Sequence, residues 1–129
     1  MKILLVEDSD AIRVRLRSLI GELCSEASVY EASGEREATD EACRERPDLI
    51  ILDLNLAEGN GLGVLQSVKS RALQTRVAVL TNHAEAPYRR KCLNSGAEWF
   101  FDKADGFGGI GNVLTSLCGH ATGEGGSCR

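Results

Sequence analysis

The chain has 129 residues, 43% of them hydrophobic and 26% charged, as in an ordinary globular domain with one hydrophobic core. Its formal net charge of −4 argues against a nucleic-acid or anionic-membrane surface, and no apolar run approaches the roughly 18 residues of a membrane span. Because Glu7 and Asp8 interrupt the only early apolar stretch, the N-terminus lacks a signal-peptide pattern, and we expect a cytoplasmic protein.

Short apolar runs alternate with amphipathic stretches along the chain. The runs predict five β-strands, at 3–6, 28–31, 49–52, 77–80 and 99–101. A helix that Ser9 or Asp10 can cap follows the first strand and extends to Leu23, and four more helices are predicted at 34–46, 61–72, 86–95 and 105–118. This alternation is typical of an α/β domain with a parallel sheet.

The chain is expected to form one domain, at 1–119, followed by a flexible tail at 120–129 that is rich in glycine and small polar residues. The five cysteines contain no C-x-x-C pair and show no zinc-ligand spacing, so we expect free thiols in a reducing compartment.

Carboxylates and other polar residues stand at the ends of four of the predicted strands. Glu7 and Asp8 follow the first strand, and Asp53 follows the third in "LIILDLNLAEGNGL". Thr81 ends the fourth in "VAVLTNH", and Lys103 follows the fifth in "WFFDKAD". Ligands of open parallel sheets bind beyond the carboxyl ends of the strands, so these five residues are expected to converge at one edge.

The expected cluster has complementary chemistry. Carboxylates and a carbonyl oxygen suit a hard divalent cation such as Mg²⁺. A lysine supplies compact positive charge for a phosphoryl oxygen, and a threonine hydroxyl can donate to another oxygen. Asp53 could then attack a phosphorus atom and carry an acyl phosphate. Singly, each residue type is more often a turn residue, a helix cap or a solvated side chain, so the prediction depends on the combination.

The motifs "LLVEDSD", "PDLIILDLNLAEGNGLGVL", "AVLTNH" and "GAEWFFDKAD", in this order and at these intervals, resemble the receiver domain of bacterial two-component response regulators. The resemblance covers residues 2 to about 118. It implies a flavodoxin-like, doubly wound fold with a five-stranded parallel sheet in the order 2-1-3-4-5 and five helices.

The resemblance also implies roles for the residues at the strand ends. Asp53 matches the phospho-accepting aspartate. Glu7 and Asp8 match the acidic pair that binds Mg²⁺, Asp8 directly and Glu7 through water. Asn55 matches the position whose backbone carbonyl binds the metal.

Four further positions match residues that respond to the phosphoryl group. Thr81 matches the switch hydroxyl, and Lys103 the lysine that pairs with the phosphoryl group. Phe100 matches the aromatic position that turns inward on activation. His83, two residues after Thr81, lies where the family tunes hydrolysis of the acyl phosphate, and we hypothesise that it sets the lifetime together with Asn55.

Two alanines depart from the family pattern. Ala57 and Ala104 stand where proline is usual, four residues after the acceptor and directly after the lysine. The loop after Asp53 therefore lacks a fixed φ. A cis bond between Lys103 and Ala104 would cost about 2.5–4 kcal/mol, so the sequence leaves the geometry of that bond open. Phe100 also replaces the commoner tyrosine or histidine and offers no hydroxyl.

The function implied is that of a stand-alone receiver, a signalling domain rather than an enzyme. A sensor histidine kinase or a histidine phosphotransfer protein would donate the phosphoryl group to Asp53, with Mg²⁺ as cofactor. Output would be contact with a downstream protein through the fourth helix, fifth strand and fifth helix, without nucleic acid or membrane. His120 is expected to be solvated.

Four alternatives stay open at this point. The chain could be a receiver excised from a larger regulator, or a binding module that works without phosphorylation. A small aspartate-nucleophile phosphohydrolase would need a second acid two residues after Asp53, where Asn55 stands. A flavin-binding protein would need a phosphate-binding loop where the acidic "EDSD" stands.

Overall fold

Strands and helices alternate through the chain as predicted. The computed structural model describes residues 1–71, 74–83 and 85–118. The strands are β1 (Lys2–Val6), β2 (Ser28–Ala32), β3 (Leu49–Leu52), β4 (Arg76–Thr81) and β5 (Trp99–Asp102). The helices are α1 (Asp10–Leu23), α2 (Glu35–Glu45), α3 (Gly61–Ser70), α4 (Ala86–Asn94) and α5 (Phe107–Cys118).

The five strands form one parallel sheet in the order β2-β1-β3-β4-β5, which confirms the predicted fold class. Strand β1 lies between β2 and β3, and Ile3 pairs with Val29 on one side and with Leu49 on the other. The chain places β2 on one side of β1 and then crosses to place β3 on the other side. A crevice is expected beyond the carboxyl ends of β1 and β3, where the direction of the connections changes.

The sheet separates two layers of hydrophobic packing. Residues Ile3 to Val6 of β1 and all four residues of β3 are buried, as expected for strands that are covered on both faces. Alternate residues point to opposite faces, so Leu4 and Ile50 pack with side chains from α2, α3 and α4, whereas Leu5 and Ile51 pack with side chains from α1 and α5.

Polar caps fix two of the helix starts. The Oγ of Ser9 accepts the amide N–H of Ile12 at 3.3 Å, as predicted for a cap of α1. The side chain of Asn60 accepts the N–H of Gly63 at 2.9 Å and caps α3.

Helix α5 begins at Phe107, two residues later than predicted, because 103–106 form a turn. Gly106 packs so closely on the backbone carbonyl of Asp102 that a side chain there would collide with it. The end of the predicted third helix at 72, the predicted domain boundary at 119 and the predicted tail at 120–129 lie outside the described residues. None of the helices described is long and apolar enough to cross a bilayer.

The prediction of free thiols is wrong for two cysteines. Cys24, which follows the last residue of α1, and Cys118, the last residue of α5, form a disulfide with their Cα atoms 5.6 Å apart. Helices α1 and α5 cover the same face of the sheet, so their ends meet although 94 residues separate the two cysteines. Cys43 and Cys92 carry free thiols, and Cys128 lies outside the described residues.

Candidate functional site

Three carboxylates meet at the carboxyl ends of β1 and β3. Glu7 and Asp53 are buried, with 2% and 5% of their surface exposed, whereas Asp8 is exposed. Each offers an oxygen within 4.8 Å of the other two. The adjacent residues Glu7 and Asp8 differ in burial because successive side chains at a strand end point in opposite directions.

Lys103 compensates the two buried carboxylates. Its Nζ lies 2.9 Å from Oε1 of Glu7 and 2.9 Å from Oδ2 of Asp53, and only 12% of its side chain is exposed. Two carboxylates at this burial would be costly without a cation between them. The predicted convergence of β1, β3 and β5 at one site is thus present in the structure.

The pKa values of Glu7 and Lys103 both lie above their ordinary values. Burial raises the pKa of the Glu7 carboxyl, although the hydrogen bonds from Lys103 and from the amide of Ser9 act in the opposite direction. Burial alone would lower the pKa of Lys103, but its hydrogen bonds to Glu7 and Asp53 outweigh that effect. Lys103 therefore remains a cation at neutral pH.

Backbone hydrogen bonds hold the strand ends in place. The amide of Asp53 donates to the carbonyl of Val6 at 2.9 Å, and the amide of Glu7 donates to Ala32 at 3.0 Å. The guanidinium of Arg13, on the second turn of α1, donates to the carbonyl of Glu7. The positions of both buried carboxylates thus depend on the sheet and not on a mobile loop.

Thr81 and His83 occupy the end of β4 and the residues after it. Thr81 is fully buried, its Oγ1 accepts the backbone amide of His83 at 3.2 Å, and its carbonyl accepts the amide of Lys103 at 2.9 Å. The side chain of His83 is exposed, and its ring centroid lies 5.8 Å from that of Tyr88. Thr81 thus aligns the backbone of the lysine.

Phe100 and Ala104 lie on either side of Lys103. Phe100 is 5% exposed and packs with the core beneath α4, so in this structure the ring already points inward. The guanidinium of Arg89 lies 5.0 Å from the centroid of that ring. Across the described residues every peptide bond is trans, including that between Lys103 and Ala104, which settles the geometry that the sequence left open.

The loop after Asp53 contacts helix α2, a contact that the sequence did not predict. The amide of Asn55 donates to Oδ1 of Asp53 at 3.2 Å. Across the loop, the backbones of Asn55 and Asn60 form an isolated antiparallel β-bridge. Glu35, in the first turn of α2, accepts the amide of Asn60 at 3.0 Å through Oε1. A side chain at Gly59 or Gly63 would collide with Glu35. The glycines of "EGNGLG" are the one signal in the sequence for this close approach.

Replacing Glu35 with alanine is expected to loosen that loop. A hydrogen bond to a charged acceptor contributes about 1.5–3 kcal/mol, so the Asn60 amide should exchange with solvent at least about tenfold faster. Hydrogen exchange measured by NMR checks this. Glu37→Ala is the matched control, because it removes another first-turn carboxylate that bonds Ser33 instead. Equal exchange at Asn60 in both variants would contradict the role given to Glu35.

The carboxylate cluster has the donor chemistry of a magnesium site. Within the described ranges it is the single group of three or more histidine, cysteine, aspartate or glutamate side chains close enough to share an ion. Mg²⁺ prefers oxygen ligands and keeps several waters, which an exposed Asp8 beside two buried carboxylates allows. The residues present therefore fit this ion.

Comparison with known proteins gives the same family as the resemblance. Residues 3–108 match the family model of the response regulator receiver domain. The transcriptional activator protein ExaE of Pseudomonas putida is 36% identical over 104 residues, 81% of this chain and 49% of ExaE. The KDP operon transcriptional regulatory protein KdpE of Escherichia coli K12 is 33% identical over 106 residues, 82% of this chain and 46% of KdpE. The chain thus spans about half the length of the curated relatives it matches.

A solved structure supports the fold. The signal receiver domain of a DNA-binding response regulator (merR) from Colwellia psychrerythraea 34H superposes with a TM-score of 0.83 at 23% identity, covering 91% of this chain and 97% of that one. With the family match, the chain belongs to the response regulator receiver domains of two-component systems, which are signalling domains rather than classical enzymes. Receiver domains generally bind Mg²⁺ at an acidic pocket, and an acidic cluster is present here.

Proposed function

We propose that Asp53 accepts a phosphoryl group from a phosphohistidine. The observation that carries the proposal is the contact between the Asp53 carboxylate and the Lys103 ammonium at 2.9 Å, beside the carboxylates of Glu7 and Asp8. A bond would form between phosphorus and an Asp53 oxygen as the bond between phosphorus and the donor imidazole nitrogen breaks. The imidazole then leaves with the electron pair of that bond.

The residues around Asp53 would bind and orient the incoming group. Glu7, Asp8, Asp53 and the backbone carbonyl of Asn55 would hold Mg²⁺, which when bound neutralises negative charge on the transferring phosphoryl oxygens. Lys103 exchanges its contact with the carboxylate for one with a phosphoryl oxygen. Because Lys103 is cationic at neutral pH, it provides that charge without a change in protonation.

Thr81, Phe100, Asn55 and His83 would shape the response and its lifetime. Thr81, whose carbonyl accepts the amide of Lys103, would turn its hydroxyl toward the phosphoryl group and release the amide of His83. The ring of Phe100 is packed inward, and it would fill the space vacated when the Thr81 side chain turns toward the phosphoryl group. The exposed His83 and the side chain of Asn55 would control the access of water to the acyl phosphate.

The donor we propose is a sensor histidine kinase or a histidine phosphotransfer protein, in the cytoplasm. The phosphoryl group adds negative charge beside Lys103, the cation that already contacts Glu7 and Asp53. This change biases the neighbouring surface of α4, β5 and α5 toward one of two arrangements. The output we propose is contact of that surface with a downstream protein. ExaE is named a transcriptional activator and KdpE a transcriptional regulatory protein, and this chain covers 49% and 46% of their lengths.

Labelling with a small phosphodonor tests the proposal. Wild type incubated with acetyl phosphate and Mg²⁺ should gain one phosphoryl group in intact-mass spectrometry, whereas Asp53→Asn or added EDTA should abolish the gain. Asp102→Asn is the matched control, because that carboxylate lies one residue from Lys103 and bonds the amide of Ala104 instead. No labelling of wild type would contradict the proposal, and steady turnover of phosphomonoesters would favour a phosphohydrolase.

A further inference from the structure

Helix α4 is barely anchored to the core. Its single buried residue is Cys92, whereas α3 buries four residues over a similar length. Two apolar side chains of α4 are largely exposed, Tyr88 at 50% and Leu93 at 42%. A helix that buries so little of itself leaves an apolar surface available to another molecule.

A groove runs between α4 and the start of α3. Its volume is about 320 Å³, close to the lower end of the roughly 300–1,000 Å³ typical of ligand sites, so it suits one or two anchoring side chains. Most of the lining is apolar, and its polar groups are the side-chain amide of Asn60 and the ammonium group of Lys91. The lining residues are Leu54, Asn60, Leu62, Tyr88, Lys91 and Cys92.

The helix beside the groove is strongly basic in an acidic protein. Arg89, Arg90 and Lys91 are consecutive and exposed, and Ala86–Asn94 contains no carboxylate. Among the described residues none of these three cations is in an ion pair, although Arg13, Arg17, Arg44 and Lys69 all are. These cations attract carboxylates locally. The net charge of −4 on the whole chain repels large polyanions.

We propose that the groove between α3 and α4 binds a short acidic segment of another protein. An apolar side chain of that segment enters the groove beside Tyr88 and Cys92, and its carboxylates contact Lys91 and Arg90. An apolar lining with cations at its edge matches both features of such a segment. Nucleic acid would use the cations and leave the apolar lining without a partner.

The proposed peptide contact is a function separate from phosphoryl transfer, but the groove lies close to Asp53. Leu54, in the groove, directly follows Asp53, and Asn60, also in the groove, caps α3 and bonds Glu35. A shift of the loop after Asp53 therefore changes the wall of the groove. Binding of the segment does not itself require Asp53 to be phosphorylated.

Selection from a random peptide library displayed on phage tests the proposal. Wild type should enrich peptides that combine aspartate or glutamate with leucine, phenylalanine or methionine. A synthetic copy of an enriched peptide should bind Lys91→Glu and Tyr88→Ala at least about tenfold more weakly than wild type. Both positions are exposed, so the variants should fold. Arg76→Glu is the matched control, because it makes the same charge reversal at the opposite end of the sheet.

The proposal would be overturned by no enrichment, by enriched peptides without acidic residues, or by binding that Lys91→Glu and Tyr88→Ala leave unchanged. Tighter binding of duplex DNA than of the peptide, lost in Lys91→Glu, would also overturn it in favour of a nucleic-acid surface. Asp53→Asn separates the two proposals, since it should bind the peptide as wild type does while failing to accept phosphate.

Discussion

Replacing Lys103 with methionine is expected to lower the free energy of unfolding by about 3 kcal/mol in the absence of Mg²⁺. The substitution keeps most of the volume and removes the ammonium between Glu7 and Asp53, both of which it contacts at 2.9 Å. Removing one partner of a buried pair costs about 3–5 kcal/mol, because it leaves buried charge without compensation. Urea denaturation in EDTA measures the loss, and labelling by acetyl phosphate should fall as well.

The loss in Lys103→Met should depend on Mg²⁺ and on pH. A cation held by the proposed ligands Glu7, Asp8 and Asp53 would replace the missing positive charge, so Mg²⁺ should stabilise the variant more than wild type. Without the ammonium the pKa of Glu7 rises further, and protonation of this carboxyl then relieves the cost. The difference from wild type should therefore shrink as the pH falls through that pKa.

Lys2→Met is the matched control for Lys103→Met. Lys2 pairs with Glu45 at 3.3 Å, but 46% of its side chain is exposed. An exposed ion pair contributes about 0–1 kcal/mol, so this variant should lose little stability and should not respond to Mg²⁺. If the two variants lost equal stability, the buried contacts of Lys103 would not be what stabilises the carboxylate cluster.

The meeting of the strand ends could be predicted from the sequence, and the finer contacts could not. An uninterrupted apolar run such as Leu49–Leu52 predicts a central strand, and a parallel sheet then places Asp53 near Glu7 and Lys103. The strand order itself came only from the resemblance. Which of Glu7 and Asp8 is buried depends on the twist and pairing of β1, and no local sequence pattern reveals it.

Contacts between distant segments were missed for a shared physical reason. Glu35 bonds Asn60 across 25 residues, and Cys24 bonds Cys118 across 94, and neither pair has a periodic or local signature. Side chains of this kind are brought together by the packing of helices against the sheet. Local patterns predict which elements form, and only the assembled layers determine which of their ends touch.

Replacing Gly61 with alanine is expected to displace Asp53. Gly61 is the first residue of α3 and packs against the backbone of Asp53, which we propose as the phosphoryl acceptor. A Cβ on Gly61 would collide with the carbonyl oxygen of Asp53 and with Leu54. These are backbone atoms of a strand end, and the amide of Asp53 already bonds Val6, so they cannot move aside without breaking the sheet. Overpacking of this kind costs about 1–3 kcal/mol.

The two consequences of Gly61→Ala can be measured separately. Denaturation should show a loss of about 2 kcal/mol, and labelling by acetyl phosphate should slow at least about tenfold, because a displaced Asp53 loses its 2.9 Å contact with Lys103. Gly21→Ala is the matched control. Its Cβ would meet no atom within 4 Å, so in the last turn of α1 it should stabilise the domain by about 0.5 kcal/mol and leave labelling unchanged. Normal labelling in Gly61→Ala would show that the close packing of α3 on Asp53 does not position the carboxylate, and that the sheet and Lys103 suffice.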